Sequence, residues 1–181
     1  MRLLRSLGFS LALFLWTLVA GILGLPLLLL SWQGSMWLGS FWSAQTLRLL
    51  GWIVGITHEL RGLENLPAGP AIIAMKHQSA WDTFAVSVLI RKPAIVLKKE
   101  LMAIPVYGWY LRRAGMIGID RGAAASALKT MVAAGARAIA QGRPIVIFPE
   151  GTRTAVGARL PYHPGVAALY RQLDLALVPV A

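Results

Sequence analysis

The chain has 181 residues, 57% of them hydrophobic and only 14% charged, against roughly 25% charge in an average soluble domain. Disorder is excluded, and an ordinary freely soluble domain is not the expected class. Eighteen Lys and Arg against seven Asp and Glu give a net charge of +11, and the absence of cysteine excludes disulfides, thiolate metal sites and a cysteine nucleophile.

In chain order, Arg2 and Arg5 come first, and no further formal charge occurs until Arg48. Ser6 to Leu30 is an apolar stretch long enough to cross a bilayer core. It is too long for a signal peptide, and no clear small-x-small cleavage site follows it. A second apolar stretch, from Met36 to about Ile56, is broken by Gly39, Gly51 and Gly55. Trp32, Trp37, Trp42 and Trp52 suit the headgroup level of a bilayer. Lys and Arg flank both stretches but not the segment between them, so positive-inside logic places both flanks on the cytoplasmic side. That leaves two crossings, or a shallow helical hairpin in one leaflet; a single crossing would put the basic part outside.

From Arg48 onward the chain holds 16 basic and 7 acidic residues, a surface suited to anionic lipid or phosphate-bearing substrates. Short apolar runs at Ala71–Met75, Ala94–Leu97, Met116–Ile119, Ile145–Phe148 and Ala176–Ala181 read as strands. Helices are expected at Trp81–Ile90, at Lys99–Arg113 with a break at Pro105, at Ala123–Gln141 before Gly142, and from Pro164 to about Leu173. The alternation predicts an α/β fold: a largely parallel or mixed sheet flanked by helices, preceded by a hydrophobic, membrane-binding helical pair. The boundaries expected are residues 1–56 for the helices and 57–181 for the α/β part. The chain stops inside an apolar run at Val178-Pro179-Val180-Ala181, so closing strands at the C-terminus are expected to be missing.

Polar residues gather where these strands end. After the first strand come Lys76-His77-Gln78-Ser79-Ala80-Trp81-Asp82. Ser79 is a good N-cap and Asp82 falls at N3, as in a capping box, from where its carboxylate can reach back to His77 and leave the other ring nitrogen as a base. The plainer reading, Asp82 as a helix cap and His77 as a loop residue, fits the spacing equally well. Asp120-Arg121-Gly122 follows the third strand, and Pro149-Glu150-Gly151-Thr152-Arg153 the fourth. Each places an arginine on a glycine-containing turn at a strand's carboxyl end, where open α/β sheets hold ligands. Taken singly, Arg121 reads as a surface partner of Asp120 or Glu150, and Arg153 as a solvated charge. No His and carboxylate cluster has metal-ligand spacing, and neither GxxxxGK nor GxSxG occurs.

His77-x4-Asp82, the run Gly115 to Arg121, Phe148-Pro149-Glu150-Gly151-Thr152-Arg153 and Val178-Pro179-Val180 occur in the order of the four motifs of the glycerolipid acyltransferase family, which the chain resembles over about residues 58–181. That resemblance implies an enzyme moving a fatty acyl group from acyl-CoA or acyl-acyl carrier protein to the sn-2 hydroxyl of 1-acyl-glycerol-3-phosphate, giving phosphatidic acid in phospholipid biosynthesis. His77 would be the general base and Asp82 its orienting partner. Arg121 and Arg153 would bind the acceptor's phosphate, Glu150 and Gly151 would shape the acceptor pocket, Thr152 would join them in binding substrate, and Pro179 would lie near the acyl channel. No cofactor or metal is implied beyond the donor, and the partners are membrane lipid, the lysophosphatidate acceptor and the donor, with no nucleic acid. The location implied is a membrane, the bacterial inner membrane with its site on the cytoplasmic face. Gly118 stands where an aromatic is usual, which would widen the pocket, and His163 where relatives often carry lysine, which would make a phosphate contact there weaker or pH-dependent. Two alternatives remain: transfer to another lyso-lipid such as a lyso-ornithine lipid, and a non-catalytic basic module that docks to membranes.

Overall fold

In a computed structural model that describes residues 1–181, the side chain of Ala124 excepted, five strands form one sheet. They are β1 (Ile72–Met75), β2 (Ala94–Lys98), β3 (Ile117–Ile119), β4 (Ile145–Ile147) and β5 (Leu177–Val180), in the order β3-β2-β4-β1-β5. Every pairing is parallel, and the strands read as continuous apolar runs because both faces of the sheet are covered. Ile72, Ala94, Ile145 and Val146 are fully enclosed.

The helices cover the two faces in unequal depth. On one side, α5 (Ala124–Ala140) and α6 (Gly165–Leu173) close a core of Ile72, Ile117, Met131, Ile145 and Leu169. Gly135 lets α5 approach the sheet closely, since a Cβ there would stand 2.9 Å from Ile145 Cδ1. On the other side, α3 (Ala80–Leu89) packs Val86 with Ile73, Ile95 and Val146. The predicted helix Lys99–Arg113 is two elements, a 3-10 turn over Lys99–Ala103 and α4 (Tyr107–Arg113). Pro105 has no N–H to continue a helix, and Val106 takes a positive φ of 63°.

The N-terminal apolar stretches form two helices, α1 (Arg2–Leu23) and α2 (Trp32–Val54), joined through a 3-10 turn at Leu25–Leu28 that holds Pro26. Among the described residues α1 is the one helix long and apolar enough to cross a membrane, by length and composition, and of its side chains only Ala20 is buried. Polar groups are spent between the two helices: Trp42 Nε1 donates to Thr17 Oγ1 at 3.1 Å, and Trp16 Nε1 donates to the carbonyl of Trp42 at 3.2 Å.

α2 also packs on the α/β layer, with Trp42 against Phe84 of α3 and near Tyr107 of α4. The turn of the hairpin is held there too. Tyr110 donates to the carbonyl of Gly21 at 2.8 Å, and Arg113 donates to that of Leu30. Arg143, 2% exposed, donates to the carbonyls of Pro93 and Ala114 (both 2.9 Å) and Lys92 (3.1 Å), while its guanidinium lies 4.9 Å from the centre of the Trp32 ring. Two crossings would put this turn across roughly 30 Å of hydrocarbon from the α/β layer, whereas here it touches that layer. Of the four tryptophans expected at the headgroup level, Trp37 and Trp52 are exposed, but Trp32 and Trp42 face protein.

Candidate active site

Strand β1 ends at Met75, and the chain turns through Lys76-His77-Gln78 into Ser79, the N-cap of α3. The capping box forms as its sequence implies: Ser79 Oγ accepts from the N–H of Trp81 at 3.1 Å, and Asp82 Oδ2 accepts from the N–H of Ser79 at 2.8 Å. The same Oδ2 accepts from the N–H of Gln78 at 2.6 Å and meets His77 Nδ1 at 3.2 Å. Capping and pairing are therefore one arrangement, and the two readings of Asp82 are both realised. A carboxylate accepts only, so Nδ1 carries the proton and Nε2 is left as an acceptor. No other described residue bonds the His77 side chain, whose ring lies 4.4 Å from the ring of Phe148, centre to centre.

The loop after β4 is locked to the loop after β1. Glu150, 3% exposed, accepts from Lys76 Nζ at 2.8 Å through Oε1 and from the N–H of His77 at 3.1 Å through Oε2. The N–H of Thr154 donates to the carbonyl of His77 at 2.7 Å. Burial pushes the Glu150 carboxyl up, but the Lys76 ammonium and the His77 N–H outweigh it and hold the group below its ordinary value. The Glu150 carboxylate is consumed in joining two loops, and it braces His77 from behind. Nothing at the sequence level pairs Lys76 with Glu150, 74 residues apart.

That pairing releases the arginines. Asp120 is engaged by Lys99 and by the N–H of Gly122 at 3.0 Å, so neither carboxylate considered as a partner for Arg121 is available to it. Among the described residues, Arg121 and Arg153 make no side-chain hydrogen bond or ion pair, and both are exposed. They border a cavity of about 1360 Å³ that His77, Gly151 and Thr152 also line. Its wall also includes Val96, Leu128 and Met131, and Gly21, Ser35 and Gly39 of the hairpin. One end is cationic; the rest is largely apolar.

Two expectations about its walls fail. Pro179 is not among the lining residues: it sits in β5, paired with Ala74, and β1 separates that edge strand from β4 and β2. Gly118 does not open extra space, because a Cβ there would stand 2.6 Å from Met102 Sδ, whose side chain fills the volume.

Among the described residues no group of His, Asp and Glu is placed to hold a metal ion. A paired imidazole, two unpaired guanidinium groups and an apolar channel can together bind a phosphorylated amphiphile and take a proton from a hydroxyl held at Nε2.

The profile of the Acyltransferase family matches residues 57–181. A 1-acyl-sn-glycerol-3-phosphate acyltransferase of Pseudomonas aeruginosa is 40% identical over 71% of this chain and 50% of its own length. Proteins of the same name from Cocos nucifera (30% identical, 78% of this chain, 46% of the relative) and, as the beta form, Homo sapiens (29%, 76% and 53%) also match. The chain spans about half the length of these curated relatives. The crystal structure of the 1-acyl-sn-glycerophosphate acyltransferase PlsC from Thermotoga maritima superposes with a TM-score of 0.77 at 21% identity, covering 98% of this chain and 73% of that one, so the fold is shared, hairpin included.

Proposed function

The chain belongs to the Acyltransferase family, and from that premise we propose that it transfers a fatty acyl group from a thioester donor, acyl-CoA or acyl-acyl carrier protein, to the sn-2 hydroxyl of 1-acyl-glycerol-3-phosphate. The observation that carries this reading is one cavity lined by His77, which Asp82 pairs, by Arg121 and Arg153, and by apolar residues of the hairpin and sheet. The acceptor's phosphate sits against the two guanidinium groups, where forked donors match its oxygens. Its free hydroxyl then lies at His77 Nε2. As the hydroxyl oxygen attacks the thioester carbonyl, its proton passes to Nε2, and Asp82 stabilises the imidazolium that forms. The C–S bond breaks, the thiolate takes the proton back from His77, and an ester remains. No acyl-enzyme is needed, so the lack of cysteine is no obstacle.

The acyl tail needs an apolar space, which the channel toward Gly21 and Gly39 supplies. The exposed Leu3, Leu7, Leu11, Phe14 and Leu18 of α1 point to a hairpin that lies in one leaflet, with Arg2, Arg5 and the basic α/β part on the cytoplasmic side of a bacterial inner membrane. Acceptor then reaches His77 by lateral diffusion and donor from the cytosol.

The test is a radiolabelled acyl-transfer assay on bilayers holding lysophosphatidate, other lysophospholipids or a lyso-ornithine lipid, with wild type and His77→Ala side by side. His77-dependent product on lysophosphatidate above the rest is expected. Preference for an acceptor without phosphate would reassign the substrate, and no His77-dependent product on any acceptor would defeat the catalytic reading.

A further inference from the structure

The cavity that holds His77 is not walled off on the side of α1. Phe14, Leu18 and Ile22, at i, i+4 and i+8, form one stripe along that helix, and all three line the cavity. Leu101, Ile104 and Val106, from the 3-10 turn and the stretch that leads into α4, line it as well. In an enclosed channel such wall residues would be hidden. Here Phe14, Leu18, Ile22, Leu101 and Ile104 are between 36% and 65% exposed, so they border both the cavity and the outer surface.

The two lips of this opening are pinned together at one end. Tyr110 donates to the carbonyl of Gly21 at 2.8 Å, and a Cβ on Gly21 would stand 3.4 Å from Val106 Cγ1. Gly21 thus lets α1 rest on the start of α4, and the seam runs from there along the turns of α1 that carry Leu18 and Phe14.

Charge and apolar surface are segregated around the cavity. All six lip residues are apolar, while Lys98, Arg121 and Arg153 of its wall stand at or beyond the ends of β2, β3 and β4. The face of α1 beside the seam is apolar too, with Leu7, Leu11 and Leu15 exposed. An apolar edge of this extent is costly in water and costs nothing in hydrocarbon. Drawing a lipid tail wholly out of a bilayer costs free energy for every methylene, and an opening on the bilayer side avoids that cost.

We propose that this seam is a lateral port for the acyl tail of the acceptor lysolipid, which extends between α1 and Leu101–Val106 into the leaflet while the headgroup stands at the cationic rim. The inference rests on transfer to a lysolipid by a hairpin lying in one leaflet, as proposed above, and adds the path of the tail and the residues that border it. Carbons beyond the lips lie in the bilayer, so the chain does not select acceptors by tail length.

The sequence holds no cysteine, so an introduced one is the only thiol. Leu18 and its neighbour Val19 are equally exposed, 49% and 48%, but only Leu18 lines the cavity. Leu18→Cys, Ile104→Cys and Val19→Cys, each in the full chain in phosphatidylcholine bilayers, are joined to a bulky maleimide. Transfer is then measured to a long-tailed lysophosphatidate and to a short-tailed, water-soluble one. The adduct at Leu18→Cys or Ile104→Cys should slow transfer to the long-tailed acceptor about tenfold or more, as two methylenes denied burial would, and leave the short-tailed acceptor unaffected. The adduct at Val19→Cys should change neither. Equal effects at Leu18→Cys and Val19→Cys, equal losses for both acceptors, or a loss that follows the donor's chain length and not the acceptor's would overturn the proposal.

A second readout needs no turnover. Long-tailed lysophosphatidate added to the bilayer should slow alkylation of Ile104→Cys and not of Val19→Cys. If no acyl transfer occurs but this protection does, the proposed reaction fails and the port stands. If transfer occurs without protection, the port fails and the reaction stands; if neither occurs, both fail.

Discussion

At His77 one carboxylate oxygen serves three donors: two backbone N–H groups and an imidazole nitrogen. Orientation of the base and the start of α3 therefore depend on the same atom. Replacing His77 by alanine removes the base and leaves the cap, so activity should fall roughly 10²–10⁴-fold, the usual worth of general base catalysis, with an unchanged melting temperature. Asp82→Ala should reduce activity and also cost about 1 kcal/mol of stability through the lost cap, seen as an earlier denaturation midpoint. A His77→Ala protein that melts earlier than Asp82→Ala would contradict this division.

Elements are joined here by two buried ionisable groups of opposite sign. Glu150 connects the loops after β1 and β4, and it is ionised at the cost of burial because Lys76 and the His77 N–H hold it so. Its folded value lies below the unfolded one, so its contribution to stability is complete above the ordinary range near pH 4.3 and is lost as pH falls through the lowered value. Glu150→Gln should destabilise the chain by roughly 2 kcal/mol near neutral pH, and the gap in midpoint from wild type should close on acidification below that range. Arg143 joins the loops before β2 and β3, donating to the carbonyls of Lys92, Pro93 and Ala114, and its guanidinium lies over the Trp32 ring of α2. Arg143→Met leaves them unpaired and should cost about 3 kcal/mol. Arg143→Lys should restore little, because a point charge cannot replace a fork. Limited proteolysis between residues 24 and 31 should become faster in both.

Across the whole molecule, the hairpin is a wall of the cavity as well as an apolar surface. Gly39 of α2 lines the channel, and a Cβ there would meet nothing within 4 Å. Gly39→Leu should therefore fill the channel without displacing neighbours and shift donor preference toward shorter acyl chains, read from competition between donors of different length; an unaltered preference would remove the channel from the proposal. Truncation should discriminate between the two helices. Loss of residues 1–23 removes an exposed apolar surface and should lower activity on bilayers while α/β folding survives. Loss of residues 1–54 also strips α2 from α3, baring the contacts of Trp42, and should yield insoluble protein.

Much of this was legible along the chain, because it is local. Apolar runs bounded by Gly and Pro mark the five strands, and Ser79 with Asp82 at N3 marks both a helix start and the partner of His77, since a capping box needs only four consecutive residues. The arginine-bearing turns after β3 and β4 could be read as site candidates for the same reason. What the tertiary structure alone decided concerns residues distant in sequence: that Lys76 takes Glu150 and Lys99 takes Asp120, leaving Arg121 and Arg153 unpaired; that Met102 fills the space beside Gly118; that His163 rests on Gly151; and that Tyr110 and Arg113 hold the hairpin's turn against the α/β layer. Composition and spacing register how often charges occur and how they alternate. Which carboxylate neutralises which cation depends on loop closures between positions tens of residues apart, and only the folded chain brings those together.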